Sequence, residues 1–211
     1  MNKYLNIVKV ISRDKIGRIV RKVYRNSKER KKLKNNNFTI LSQNCIGSIM
    51  YHDLGVKFFS PTINMLFEPK DFLKFLSNVK YYIYKEIEFM ETDKKYPVGK
   101  IDDIKIDFVH YKSKEEVLEK WNKRRERINW NKLYVIACDD NMSEDDVKKF
   151  DHLSGFQKKI LFTNNKKHLI KNAIYIDNLF DKADARLLNF CDFSGRRYYQ
   201  KVFDYVKWIN K

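Results

Sequence analysis

The sequence predicts an α/β protein, a layered α/β/α arrangement on a mainly parallel sheet, preceded by a basic amphipathic helix. Three observations carry this. From residue 38 onward, short apolar segments of strand length alternate with longer segments of helical period. Capping and turn residues punctuate them at the right places. The charge is also lopsided. Of a formal net charge of +17 over 211 residues, residues 1–34 hold 13 Lys and Arg against two acids, and the remainder holds 31 against 25. Residues 1–36 therefore read as a basic arm and 37–211 as a single α/β domain.

In the arm, Ile16, Ile19, Val20, Val23 and Tyr24 fall at i, i+3, i+4, i+7 and i+8, the stripe of an amphipathic helix. Arg18, Arg21, Lys22 and Arg25 cover the opposite face. Three uses of this helix are open: packing its stripe on the domain, lying on anionic lipid, or contacting nucleic acid. In the body, Phe38 to Ser42 is a buried strand, and Ile46 to Leu54 is a short helix closed by Gly55. Ser60-Pro61-Thr62 is a turn, and Ile63 to Phe67 a second strand. Pro69 opens a helix whose Phe72, Leu73, Phe75, Leu76 and Val79 share one face. Tyr96 to Gly99 reads as loop, and Ile104 to Val109 as a strand with one buried face. Ser113 caps the next helix, Glu116 completes a capping box, and the helix runs to about Ile128. Leu133 to Cys138 is a strand, Ser143 caps a helix opening with three acids, and Lys159 to Thr163 and Ala173 to Ile176 are strands. Tyr198 to Ile209 is a C-terminal amphipathic helix.

Composition excludes several classes. Mean hydropathy is −0.63, and no run of about 18 apolar residues offers a transmembrane helix. The h-region of a secretory signal is absent. Three cysteines, an odd number without pairable spacing, fit a reducing cytoplasm. The body is only mildly basic and shows no nucleic-acid-binding motif, so nucleic acid is not an expected partner.

Ligands of such folds gather beyond the carboxyl ends of the strands, and three strand ends carry chemistry. Ser42-Gln43-Asn44-Cys45-Ile46-Gly47-Ser48 joins a strand to a helix. Its backbone N–H groups suit phosphate or an oxyanion, Cys45 or Ser48 a nucleophile, and Gly47 a close approach of backbone to ligand. His110, at the end of the Ile104–Val109 strand, is placed as a general base, ahead of a helix rich in Lys and Arg that includes Lys120 and Arg124. Cys138-Asp139-Asp140-Asn141 offers Asp139 to orient His110, or the acid pair to a metal; turn capping is the commoner use of these residues. The other histidines show no zinc spacing. No metal site is expected, and the residues point to no particular cofactor.

Four segments together resemble a known family. They are Asn37 to Gly47; Ser60-Pro61-Thr62-Ile63-Asn64-Met65 leading into Asp71 to Leu76; Tyr96-Pro97-Val98-Gly99; and His110-Tyr111-Lys112-Ser113 continuing through Lys120-Trp121-Asn122-Lys123-Arg124 to Trp130. Over about residues 30–200 the chain resembles a bacterial family catalogued as a domain of unknown function, whose members are often labelled exopolysaccharide biosynthesis proteins. The family often has an aromatic and two glycines after the Cys, where this chain has Ile46, Gly47 and Ser48. The resemblance implies an α/β fold and a place in capsule or lipopolysaccharide assembly.

The expectation is therefore a transferase acting on a surface-polysaccharide precursor, with acyl transfer preferred: Cys45 (or Ser48) as nucleophile, His110 as base and Asp139 as orienter. The alternatives are glycosyl or sugar-phosphate transfer, with Asn44, Gly47 and Ser48 on a diphosphate clamped by Lys120 and Arg124, and a non-catalytic membrane-associated scaffold. Residues 1–34 are expected to meet an anionic membrane, which would place the protein in the cytoplasm at the inner face of that membrane.

Overall fold

The structure, a computed structural model, describes residues 13–177 and 189–211. It divides into two compact units, one of residues 37–48 and 58–175 and one of 1–36, 49–57 and 176–211. The chain is α/β with a parallel sheet, as its sequence predicts.

The larger unit contains two sheets. Strands β1 (Thr39–Ser42), β6 (Leu133–Cys138), β7 (Lys158–Thr163) and β8 (Ala173–Tyr175) lie side by side in that order, all parallel. β1 and β6 are buried at every residue, as expected where helices cover both faces of a parallel sheet. The second sheet is antiparallel, with β2 (Leu66–Phe67), β5 (Ile104–Asp107), β4 (Val98–Ile101) and β3 (Glu88–Met90) in that order. The Ile104–Val109 strand therefore belongs to a hairpin and not to the parallel sheet. Its tight turn is made by Asp102, with φ 56°, a conformation that Asp tolerates better than most residues. Of the Tyr96–Gly99 segment read as loop, Tyr96 and Pro97 are loop and Val98 and Gly99 open β4. Gly99 is required there, because a Cβ would lie 2.7 Å from Ile87 Cγ2 and 3.0 Å from the Phe108 ring.

Between the strands run α1 (Ile46–Leu54), which starts in the larger unit and continues into the smaller, α2 (Pro69–Ser77), α3 (Val79–Tyr84), α4 (Lys114–Arg125) and α5 (Glu144–His152). Pro69 sits in the first turn of α2. Asn78 ends α2 and caps α3, its side chain accepting from the Tyr81 amide. Ser143 and Asp146 form a reciprocal capping box on α5. On α4 the Ser113 hydroxyl accepts from the Glu116 amide at 3.2 Å, but Glu116 reaches back to the Lys112 amide instead of completing a box. One hydrophobic core joins both sheets. Leu41, Val135, Ala137 and Leu161 meet Ile101, Ile104, Ile106 and Phe108, with Phe72, Phe75, Trp121 and Phe150 from the helices.

The smaller unit is held by charge as much as by apolar contact. Residues 13–32 are helical, with a π turn over Arg21–Arg25. Arg21 is buried and reaches Glu29 at 2.8 Å, Asp53 at 2.9 Å, Gln200 at 2.7 Å and the Gly195 carbonyl at 2.8 Å. Arg197 clasps Asp53 with two donors, at 2.6 and 3.0 Å. Tyr205 and Gln200 donate to Glu29. Gly17 sits so close to the Asp192 carbonyl that a Cβ would be 2.1 Å away. The C-terminal segment breaks into a 3₁₀ turn (Tyr198–Lys201) and α6 (Tyr205–Asn210), which Asp204 caps. No helix among the described residues is long and apolar enough to cross a membrane.

Candidate functional site

The site develops in the larger unit at the carboxyl ends of β1, β6 and β7. After β1, the Asn44 side chain accepts from the Ile46 amide at 3.0 Å and donates to Cys138 Sγ at 3.3 Å, while Ser42 Oγ accepts from the Gly47 amide. Gln43 adds a link, accepting from the Cys138 amide at 3.1 Å. These bonds fix the turn that presents Cys45. Gly47 serves helix–strand packing: a Cβ there would be 2.8 Å from Ser42 Cβ. Ser48 is buried and its hydroxyl accepts from the Asn64 amide at 2.8 Å.

The loop before β2 knits the site together. Thr62 Oγ1 accepts from the Ser42 amide, and Ser60 hydrogen-bonds Thr62. Asn64 holds φ 62°. The Ile63 carbonyl accepts from the Tyr111 hydroxyl at 2.7 Å, and Arg124 Nη1 donates to that same hydroxyl oxygen at 2.6 Å. The Arg124 guanidinium lies 5.2 Å from the centre of the Phe58 ring. Arg124 is only 8% exposed, yet among the described residues no carboxylate pairs with it.

Two thiols and one phenol here are shifted upward. Burial pushes Cys45 to about 11 and Cys138 to about 12. Burial also raises Tyr111, opposed by Arg124 and reinforced by the nearby charges of Glu116 and Cys45. Cys45 and Tyr111 therefore lie within electrostatic reach of one another. At pH 7 a thiol of this kind is ionised in roughly one molecule in ten thousand. Alkylation of Cys45 by iodoacetamide, followed by peptide mass spectrometry, should accelerate about tenfold per pH unit up to near pH 11. A plateau near pH 8 would contradict the burial that sets this value.

Farther along the same edge, Asp139 is buried and accepts from Thr163 Oγ1 and from His168 Nδ1, the latter at 2.7 Å. Its other oxygen, Oδ1, has no hydrogen-bond partner among the described residues. Burial raises the Asp139 carboxyl, against the lowering effect of Thr163 and His168. The imidazole that Asp139 holds is thus His168 and not His110. His110 is exposed and its side chain makes no hydrogen bond or ion pair with any described residue. The reason is topological. β5 lies in the antiparallel sheet, and the chain then turns tightly, with the Tyr111 amide donating to the Phe108 carbonyl at 3.0 Å. His110 occupies the corner of that turn and Tyr111 points inward. Of the basic residues on α4, Arg124 turns into the protein, while Lys120, one turn earlier, is half-buried without a partner among the described residues. Among the described residues no three His, Cys, Asp or Glu gather to hold a metal.

The residues that sequence reasoning missed are Tyr111, Phe58 and His168. Tyr111 adjoins His110 inside one of the four segments that carry the resemblance, and the Phe108–Tyr111 turn decides which of the two faces the site. Three of those segments, around Cys45, Ser60 to Met65 and Tyr111 to Arg124, meet in one place. A family model described as "Domain of unknown function (DUF1919)" matches residues 16–210. A Haemophilus influenzae protein described only as "Uncharacterized protein" is 39% identical over 183 residues, covering 85% of this chain and 87% of its own length. The chain accordingly belongs to the domain-of-unknown-function family DUF1919.

Proposed function

We propose that this protein is a transferase acting on an anionic precursor of bacterial surface polysaccharide, with Arg124 seating the anion and Cys45 carrying the transferred acyl group. The observation behind this is Arg124. A buried guanidinium without a carboxylate is costly unless a counter-charge arrives. Its hydrogen bond to Tyr111, the one it makes among the described residues, leaves further N–H donors for a phosphate or carboxylate. Cys45 stands on a turn fixed by Ser42 and Asn44, within electrostatic reach of Tyr111. In the reaction, the Cys45 thiol loses its proton and its sulfur attacks the acyl carbonyl. The donor's leaving thiol departs with a proton, and a sugar hydroxyl then takes the acyl group and returns a proton to sulfur. The family resemblance supports the polysaccharide setting. Sugar-phosphate or glycosyl transfer is a second reading, since the same Arg124 fork suits a diphosphate.

The test is intact-mass and peptide mass spectrometry after incubation with acyl-coenzyme A, beside thermal shifts with acyl-coenzyme A, inorganic phosphate and UDP-sugars with Mg²⁺. Acyl transfer predicts a mass gain of one acyl group on Cys45, lost in Cys45→Ala. Arg124→Met should weaken phosphate-bearing ligands by roughly 10²-fold, the loss of one or two charge-assisted hydrogen bonds. Shifts with UDP-sugars and no acylation would select the second reading. No shift with any of these ligands would overturn both.

A further inference from the structure

The arm helix is turned the opposite way from an ordinary amphipathic helix on a globular protein. Its polar face packs inward: Asp14, Gly17, Arg21, Asn26 and Glu29 are buried. Asp14 accepts from the Cys191 amide at 2.8 Å, and Arg21 and Glu29 are enclosed by Gln200 and Tyr205. The apolar stripe faces outward, with Ile16, Ile19, Val23 and Tyr24 between 48% and 75% exposed. The two acids of residues 13–32, Asp14 and Glu29, are both buried, so every exposed charged side chain of the helix at neutral pH is a cation. Lys15, Lys22 and Lys28 stand on that surface, Lys28 within 5.8 Å of the Tyr24 ring centre.

We propose that this outward face docks on an anionic lipid bilayer, lying in the headgroup region with its helix axis along the surface. The inference is independent of the reaction at Cys45. Aliphatic side chains leave water for the acyl boundary, while flanking lysines extend their ammonium groups to lipid phosphates. An exposed stripe without that destination is unfavourable to leave in water. A second copy of the chain is a poor occupant, because the face would meet its own positive charge. Nucleic acid would use the cations and leave the aliphatic stripe unserved.

Deleting the arm is not an informative test, since Arg21 and Glu29 belong to the buried network of their unit. Surface substitutions in the full chain are. Vesicles of phosphatidylcholine, with and without phosphatidylserine, are sedimented with the protein at low and high salt. The proteins are wild type, Ile19→Glu/Val23→Glu, and Lys15→Gln/Lys22→Gln/Lys28→Gln, each checked for unchanged melting temperature. Wild type should sediment with the phosphatidylserine vesicles. The lysine variant should bind about a hundredfold more weakly at low salt, three residues at roughly fivefold each. Its deficit should shrink as salt rises. The glutamate variant should lose binding at both salt concentrations, since the apolar part is unscreened. Equal sedimentation of wild type and glutamate variant would overturn the proposal. So would retention on duplex DNA or polyuridine with no vesicle binding.

Discussion

Asp53→Ala should destabilise the protein by about 3–5 kcal/mol, the range for breaking a buried ion pair from one side. Asp53 is the carboxylate that both Arg21 and Arg197 reach, at 2.9 Å and at 2.6 and 3.0 Å. Arg21 keeps Glu29 when Asp53 is removed, but among the described residues Arg197 keeps only the Asn189 carbonyl for its guanidinium. Burial works against the charge of Arg197, and the Asp53 contact outweighs it, so its pKa ends above the ordinary arginine value. A guanidinium of that kind stays charged at any working pH, and no proton loss relieves it. Replacing both partners removes the orphan charge, so Asp53→Leu/Arg197→Met should recover much of the loss. Urea denaturation followed by far-ultraviolet circular dichroism measures all three. A single variant within about 1 kcal/mol of wild type, or a double variant no better than the single, would show that the network does not hold this unit together.

The parts of the fold legible in the sequence were those written in neighbouring residues. β1, the α1 helix with Gly55 at φ 65°, Pro69 at the start of α2 and the Ser143 cap all rest on contacts a few residues apart. The antiparallel sheet was not legible, because Val98 to Ile101 is short and sits behind Pro97, and its identity as a strand depends on pairing with β3 and β5. The site divides in the same way. The Cys45 turn is local, whereas the Asp139–His168 contact spans 29 residues and depends on β6 and β7 lying side by side. Periodicity located the stripe of the arm correctly but could not say which face packs. Two features bear on that point: Gly17 on the face opposite Ile19, and the two acids Asp14 and Glu29, which are both buried.

Asp139→Ala should cost about 2–4 kcal/mol, while Asp139→Asn should lie within about 1 kcal/mol of wild type at neutral pH. Alanine leaves His168 Nδ1 buried without its acceptor, an orphaned group that costs roughly 1–3 kcal/mol, and the loss of the Thr163 bond, whose hydroxyl keeps the Asn165 carbonyl at 3.1 Å, adds about 1 kcal/mol. Asparagine keeps an acceptor oxygen and introduces no charge. The pH dependence separates this from simple packing. Burial holds the Asp139 carboxyl above its ordinary 3.8, so the folded state favours the protonated acid relative to the unfolded chain. That contribution is fully present below about 3.8 and is lost as pH rises through the folded value. The stability gap between wild type and Asp139→Asn should therefore move in favour of asparagine as pH climbs from about 3.8, and then level off. Chemical denaturation of both proteins across pH 3 to 8, roughly one unit apart, reads it directly. A gap that does not change with pH would mean that the carboxylate is no harder to ionise in the fold than outside it. Equal stability of the alanine and asparagine variants would remove Asp139 as the group that holds His168 in place.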